Sequence, residues 1–105
     1  MKVFVTGATG FIGAHLVKRL SDEGITVHVL LRSIEKGQYL NFKNVHLFKG
    51  DILDLASIEK AIDGCTHAYH IAACTSVWEA NPQTYHDINV IGTKNVLDAS
   101  RKFNI

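Results

Sequence analysis

Proline is almost absent from this chain, occurring once, at Pro82. With Asn81 before it, that proline reads as a helix start: a capping side chain, then a ring in the first turn, where no N–H is needed. Cysteine is scarce as well. Cys65 and Cys74 are the two present, and they make neither a C-x-x-C pair nor a disulfide framework. A stapled secreted scaffold is therefore excluded, and buried structural thiols in a reducing compartment are expected. Charge of one sign is not in excess, since 11 basic residues face 10 acidic ones for a formal net charge of +1. Scattered, balanced charge argues against a nucleic-acid surface and against a polybasic membrane patch, and leaves a small anion held locally. Long apolar runs are missing too. Thr6, Gly7, Thr9 and Gly10 break the apolar start, and nothing approaches the roughly twenty apolar residues of a membrane span. The expectation is a soluble, cytoplasmic chain with no targeting segment.

What the chain does have is glycine at decisive places. The run Lys2-Val3-Phe4-Val5 is β-branched and aromatic, as a buried strand requires, and Ile12, Leu16, Val17 and Leu20 follow at helical spacing. Between them lies Thr6-Gly7-Ala8-Thr9-Gly10-Phe11-Ile12-Gly13, with glycines spaced G-x-x-G-x-x-G. Gly7 permits the tight turn, Gly10 lets backbone amides approach a pyrophosphate, and Gly13 lets the helix press on the first strand. The amides and positive dipole end of the new helix then meet phosphate charge. Strand, glycine turn and helix together form a dinucleotide-binding fingerprint.

The first helix is predicted over residues 11–23, with Lys18, Arg19 and Asp22 on its wet face and Gly24 as its left-handed stop. A second strand over 25–31 is almost continuously apolar, as a parallel strand covered on both faces is; His28 within it is read as packed or edge-facing. Arg32 follows at the strand end, where an NAD-selective fold carries an acid for the adenosine ribose. No acid stands there. The guanidinium instead suits a 2′-phosphate, with Ser33 and Lys36 in support, while Glu35 supplies a carboxylate only if the loop folds back. Residues 34–44 are irregular. Tyr39 and Lys43 within them satisfy Tyr-x-x-x-Lys formally, but that chemistry needs a shared helix face beside the nicotinamide, so the match is read as accidental.

A third strand is predicted over 45–49, then Asp54 as the cap of a helix containing Leu55, Ile58, Ala61 and Ile62, stopped by Gly64. A fourth strand covers 66–71 and ends in Ala72-Ala73, small enough for backbone to touch a pyrophosphate and ribose. His67 and His70, three apart on a strand, face opposite ways and cannot chelate one metal ion. No metal site is expected. A loop over 75–81 carries Trp78, and one long helix is expected from Pro82 to about Phe103. Gly92 in its interior costs about 1 kcal/mol against Ala, which a close helix contact would justify.

The phrase Val5-Thr6-Gly7-Ala8-Thr9-Gly10-Phe11-Ile12-Gly13, followed in order by Lys49-Gly50-Asp51-Ile52, His70-Ile71-Ala72-Ala73 and Asn89-Val90-Ile91-Gly92-Thr93-Lys94-Asn95, resembles the extended short-chain dehydrogenase/reductases and the sugar-nucleotide epimerase/dehydratases. The likeness covers the whole chain. The Trp78 and Tyr85 region looks most like the dihydroflavonol-reductase-like branch. The resemblance implies that Asp51 accepts from the adenine amino group and that Ile52 packs on the ring. It also implies that a longer relative continues with a fifth strand bearing Ser or Thr, a helix bearing the true Tyr-x-x-x-Lys, and a substrate domain.

The expected architecture is α/β, a Rossmann-type parallel sheet in the order 3-2-1-4 with flanking helices, ending before a fifth strand. Residues 1–105 are read as one N-terminal NAD(P)-binding half-domain with Gly7, Thr9, Gly10, Phe11, Ile12, Gly13, Arg32, Asp51, Ile52, Ala72 and Ala73 at the cofactor. NADP is the expected cofactor and NAD the other possibility. The parent is expected to be an oxidoreductase acting on a small carbonyl or hydroxyl substrate, with no catalytic residue in this stretch. Two other classes fit the same fingerprint: an NAD-linked nucleotide-sugar epimerase or dehydratase, and a non-catalytic NADP(H) sensor. An open fourth strand would favour a homo-oligomer.

Overall fold

A computed structural model describes residues 1–73 and 81–105. Cys74 and residues 75–80 of the loop assigned to 75–81, Trp78 among them, lie outside the described residues. The elements run β1 (Lys2–Thr6), α1 (Phe11–Asp22), β2 (Thr26–Leu31), β3 (Val45–Lys49), α2 (Leu55–Ile62), β4 (His67–His70), α3 (Pro82–His86) and α4 (Gly92–Lys102). The four strands are all parallel and lie in the order β3-β2-β1-β4, as expected. In register, Val3 of β1 stands opposite Val27 on one side and His67 on the other.

Strand alternation divides the core into two layers. Val3, Val5, Val27 and Val29 meet Val17 and Leu20 of α1 on one face, while Phe4 and Leu30 meet Ile58, Ile62, Val96 and Ala99 of α2 and α4 on the other. Both faces are thus covered, which is why β1 and β2 read as unbroken apolar runs rather than alternating ones. His28 points into the second layer and is buried, its Nδ1–H donating to the Ala61 carbonyl at 2.6 Å. No helix among the described residues is long and apolar enough to cross a membrane.

Gly24 and Gly64 end α1 and α2 at φ of 77° and 84°, as their positions imply. Asn81 caps α3 by accepting the Gln83 N–H at 2.9 Å. Two expectations change. Asp54 holds the N-cap position of α2 but makes no side-chain cap bond; the Ser57 hydroxyl does the local work, accepting the Asp51 N–H at 3.0 Å and donating to the Asp54 carbonyl at 2.8 Å. Asp51 makes the turn that follows β3, its Oδ1 accepting the Leu53 N–H at 2.9 Å. The predicted single α-helix from Pro82 is interrupted by a π-helical turn over Asp87–Ile91, and it ends at Lys102 with Phe103 as its cap. The glycine after that turn explains itself, because a Cβ on buried Gly92 would stand 2.5 Å from Ile52 Cδ1. Helix α4 approaches Ile52 closely, and Asn95 Nδ2 donates to its carbonyl at 2.9 Å.

Candidate functional site

The C-terminal ends of β1, β2 and β4 open onto one cavity of about 940 Å³. This is where a doubly wound sheet offers a ligand its crevice. Every residue expected at the cofactor lines it: Gly7, Thr9, Gly10, Phe11, Ile12, Gly13, Arg32, Asp51, Ile52, Ala72 and Ala73, with Ser33 and Lys36 beside them.

At one end the chain leaves β1 through Gly7, whose φ of 73° favours glycine. Gly10 donates to the Gly7 carbonyl at 3.2 Å and serves as the N-cap of α1, where no side chain caps and no acid occupies the first turn. The first amides of α1 and the positive end of its dipole are therefore left to a ligand. A Cβ on Gly10 would meet only the Gly7 carbonyl oxygen, at an ordinary 3.5 Å, and would otherwise fill the cavity; a Cβ on Gly13 would collide with that same oxygen. Phe11 and Ile12 are exposed at 82% and 69%, which is unusual for large apolar side chains at a helix start.

At the other end Arg32 is exposed and has no hydrogen bond or ion pair with any described residue. It also borders a smaller cavity of about 260 Å³ shared with Lys49, Gly50, Asp51 and Asp54. Ser33 Oγ accepts the Lys36 N–H at 3.3 Å, drawing this loop into a turn. Glu35 is exposed and does not line the cavity. Tyr39 does line it, and its hydroxyl donates to the Thr9 carbonyl at 3.3 Å. It sits in a 3-10 turn over Gln38–Leu40 that stops before Lys43, so the two residues share no helix face. Tyr39 escaped the sequence reading as a site residue because its contact to Thr9 spans thirty positions. Ile88 of the π-helical turn was missed as a wall residue too, its helical spacing marking it only as apolar.

The third wall is the tip of β4, where the Ile71 and Ala72 amides donate to Thr6 Oγ1 at 3.1 and 3.2 Å. His67 is exposed and His70 half-buried, and no cluster of three metal-ligating side chains exists among the described residues. Cys65 is buried, its thiol pushed up to about 11 by desolvation, which makes it inert packing.

A parallel 3-2-1-4 sheet with a glycine turn feeding α1 defines a Rossmann-type nucleotide-binding α/β protein. The model of the NAD dependent epimerase/dehydratase family matches residues 3–105, and the chain belongs to that family. Dihydroflavonol 4-reductase of Dianthus caryophyllus is 39% identical over 89 residues, which make up 77% of this chain and 25% of the relative. Sterol demethylase protein B of Methylococcus capsulatus is 34% identical over 105 residues, 100% of this chain and 32% of the relative. Among solved structures, the UDP-glucose 4-epimerase of Thermus thermophilus in complex with NAD superposes with a TM-score of 0.86 at 33% identity, covering 100% of this chain and 35% of that one. The chain thus spans between a quarter and about a third of the length of these proteins.

Proposed function

We propose that residues 1–105 form the NADP(H)-binding half-domain of an oxidoreductase that acts on a small carbonyl or hydroxyl substrate. The observation that carries this reading is the meeting, in one cavity, of an uncapped, acid-free helix start with an unpaired arginine. The first amides of α1 and Gly10 suit the pyrophosphate. Arg32, Ser33 and Lys36 supply two cations and a hydroxyl where NAD-selective relatives of the fold need a carboxylate, and Glu35 stays outside. Asp51 and Ile52 would flank the adenine, and Ala72-Ala73 the inner ribose. The nicotinamide, once held, supplies the hydride chemistry. Among the described residues Tyr39 and Lys43 share no helix face, so they do not form the pair that polarises a carbonyl and relays a proton, a role this reading assigns to the rest of the parent. A reducing, cytoplasmic setting fits the inert thiol of Cys65.

The epimerase neighbour carries NAD, and it supports a second reading, an NAD-linked nucleotide-sugar enzyme. Titration separates the two. Arg32→Ala should weaken NADPH binding by about 1–3 kcal/mol, the size of a charge-assisted contact, and leave NADH nearly unchanged. Equal losses for both cofactors would remove Arg32 from the 2′-position and favour the NAD-linked reading.

A further inference from the structure

The hydrogen bonds that hold the β4 tip converge on one hydroxyl. Thr6 is 1% exposed, and its Oγ1 accepts the N–H groups of Ile71 and Ala72, the former shared with the Thr6 carbonyl at 3.3 Å. A hydroxyl has one proton to give and two lone pairs to fill. With both lone pairs taken by amides, the proton must point to the remaining neighbour, His70 Nδ1, at 2.7 Å. Nδ1 is then a bare acceptor. The neutral ring carries its proton on Nε2, which lies 3.0 Å from Thr93 Oγ1 in the first turn of α4 and donates to it. An Nδ1–H form would need a third lone pair on Thr6 or the release of an amide, and of the two only the Ile71 N–H has a second acceptor, the Thr6 carbonyl.

We propose that His70 is a positioning residue for the cavity: as the Nε2–H tautomer it takes the Thr6 proton at Nδ1, turns both Thr6 lone pairs onto the Ile71 and Ala72 amides, and ties that tip to α4 through Thr93. It touches no ligand itself, as it lies outside the cavity lining. Its effect on cofactor binding rests on the dinucleotide reading above; the tautomer and the held amides do not.

Three measurements on the 105-residue chain test it. Long-range imidazole ¹⁵N–¹H correlation at neutral pH should show His70 protonated on Nε2 alone. His70→Asn keeps an acceptor near the Nδ1 position, His70→Gln keeps a donor near Nε2, and His70→Leu keeps neither. Exchange protection of the Ile71 and Ala72 amides should survive in the Asn variant within about threefold and fall about tenfold or more in Gln and Leu, the loss of roughly one hydrogen bond. NADPH affinity should follow the same order. An Nδ1–H tautomer, an Asn variant as damaged as Leu, or a Leu variant with full amide protection would each overturn the proposal. If wild type shows the tautomer and the exchange order holds but NADPH does not bind, the positioning role stands and the dinucleotide reading fails.

Discussion

Two strand tips bring backbone to the same cavity by opposite means. The β1 tip is shaped by side chains that are left out: Gly7 takes a positive φ, Gly13 brings α1 against the Gly7 carbonyl, and Gly10 leaves its Cβ space to the cavity. The β4 tip is shaped by side chains that are put in, with Thr6, His70 and Thr93 linked through hydrogen bonds that span 64 and 23 positions of sequence. Omission works locally, because a missing Cβ changes what the neighbouring backbone can do. Addition works at a distance, because it needs partners that only the fold brings together.

The comparison breaks most severely at Gly13. A Cβ there meets backbone, the Gly7 carbonyl oxygen and Ala8 Cα, so no side chain can yield. Gly13→Ala should lose about 3 kcal/mol or more, the upper end of overpacking, despite the roughly 1 kcal/mol that Ala gains over Gly in a helix. Denaturant unfolding followed by far-UV circular dichroism reads this; a variant as stable as wild type would mean that α1 is free to slide off the turn.

Gly10→Val is the complementary break. The added side chain points into the cavity rather than into protein. Stability should change by no more than about 1 kcal/mol, the scale of an N-cap exchange, while NADPH binding falls below detection. Retained binding in a folded variant would reduce the glycine stretch to a structural turn.

This contrast also explains what the sequence reveals. Spacing alone marked Gly7, Gly10 and Gly13, the strand order and the place of Arg32, because each follows from local pattern or from the handedness of crossovers. The same reasoning made Asp54 the cap of α2, and Asp54 holds that position without a side-chain bond while the Ser57 hydroxyl makes the local hydrogen bonds, since several polar residues in a row compete for one cap and only geometry chooses. Gly92 looked unfavourable within a helix until Ile52 appeared against it. Tyr39 entered the site through a contact with Thr9 that no periodicity encodes. The π-helical turn over Asp87–Ile91 has no composition signal among its residues.

At the β4 tip the break is smaller. Thr6→Val keeps the shape and removes the hydroxyl, leaving the Ala72 N–H and His70 Nδ1 without a Thr6 partner. The loss should be about 1–3 kcal/mol, the range for stranding buried polar groups. Urea unfolding gives the number, and a value near zero would show that water replaces the hydroxyl at no cost.

Acid should produce the mildest effect, and it should be selective. Residues 7–13 carry no titratable side chain, so the β1 tip has nothing of its own to protonate. His70 is held below its ordinary value of 6.5 by desolvation, and so is His28, where desolvation outweighs the opposing hydrogen bond to Ala61. Both imidazoles are therefore harder to protonate in the fold than in the unfolded chain. In the window between the lowered folded values and 6.5, the unfolded chain binds more protons, so stability rises with pH there. The contribution is complete above 6.5 and is lost as pH falls through the folded values. Protonating His70 also places a proton on Nδ1, against the Thr6 hydroxyl, so the β4 tip should loosen first. Hydrogen exchange at about pH 7.5 and about pH 5.5, corrected for the intrinsic pH dependence of amide exchange, should show Ile71 and Ala72 losing protection while the amides of α1 hold theirs. Equal loosening at both tips would mean that acid acts through His28 and the shared core, and that the β4 tip has no pH response of its own.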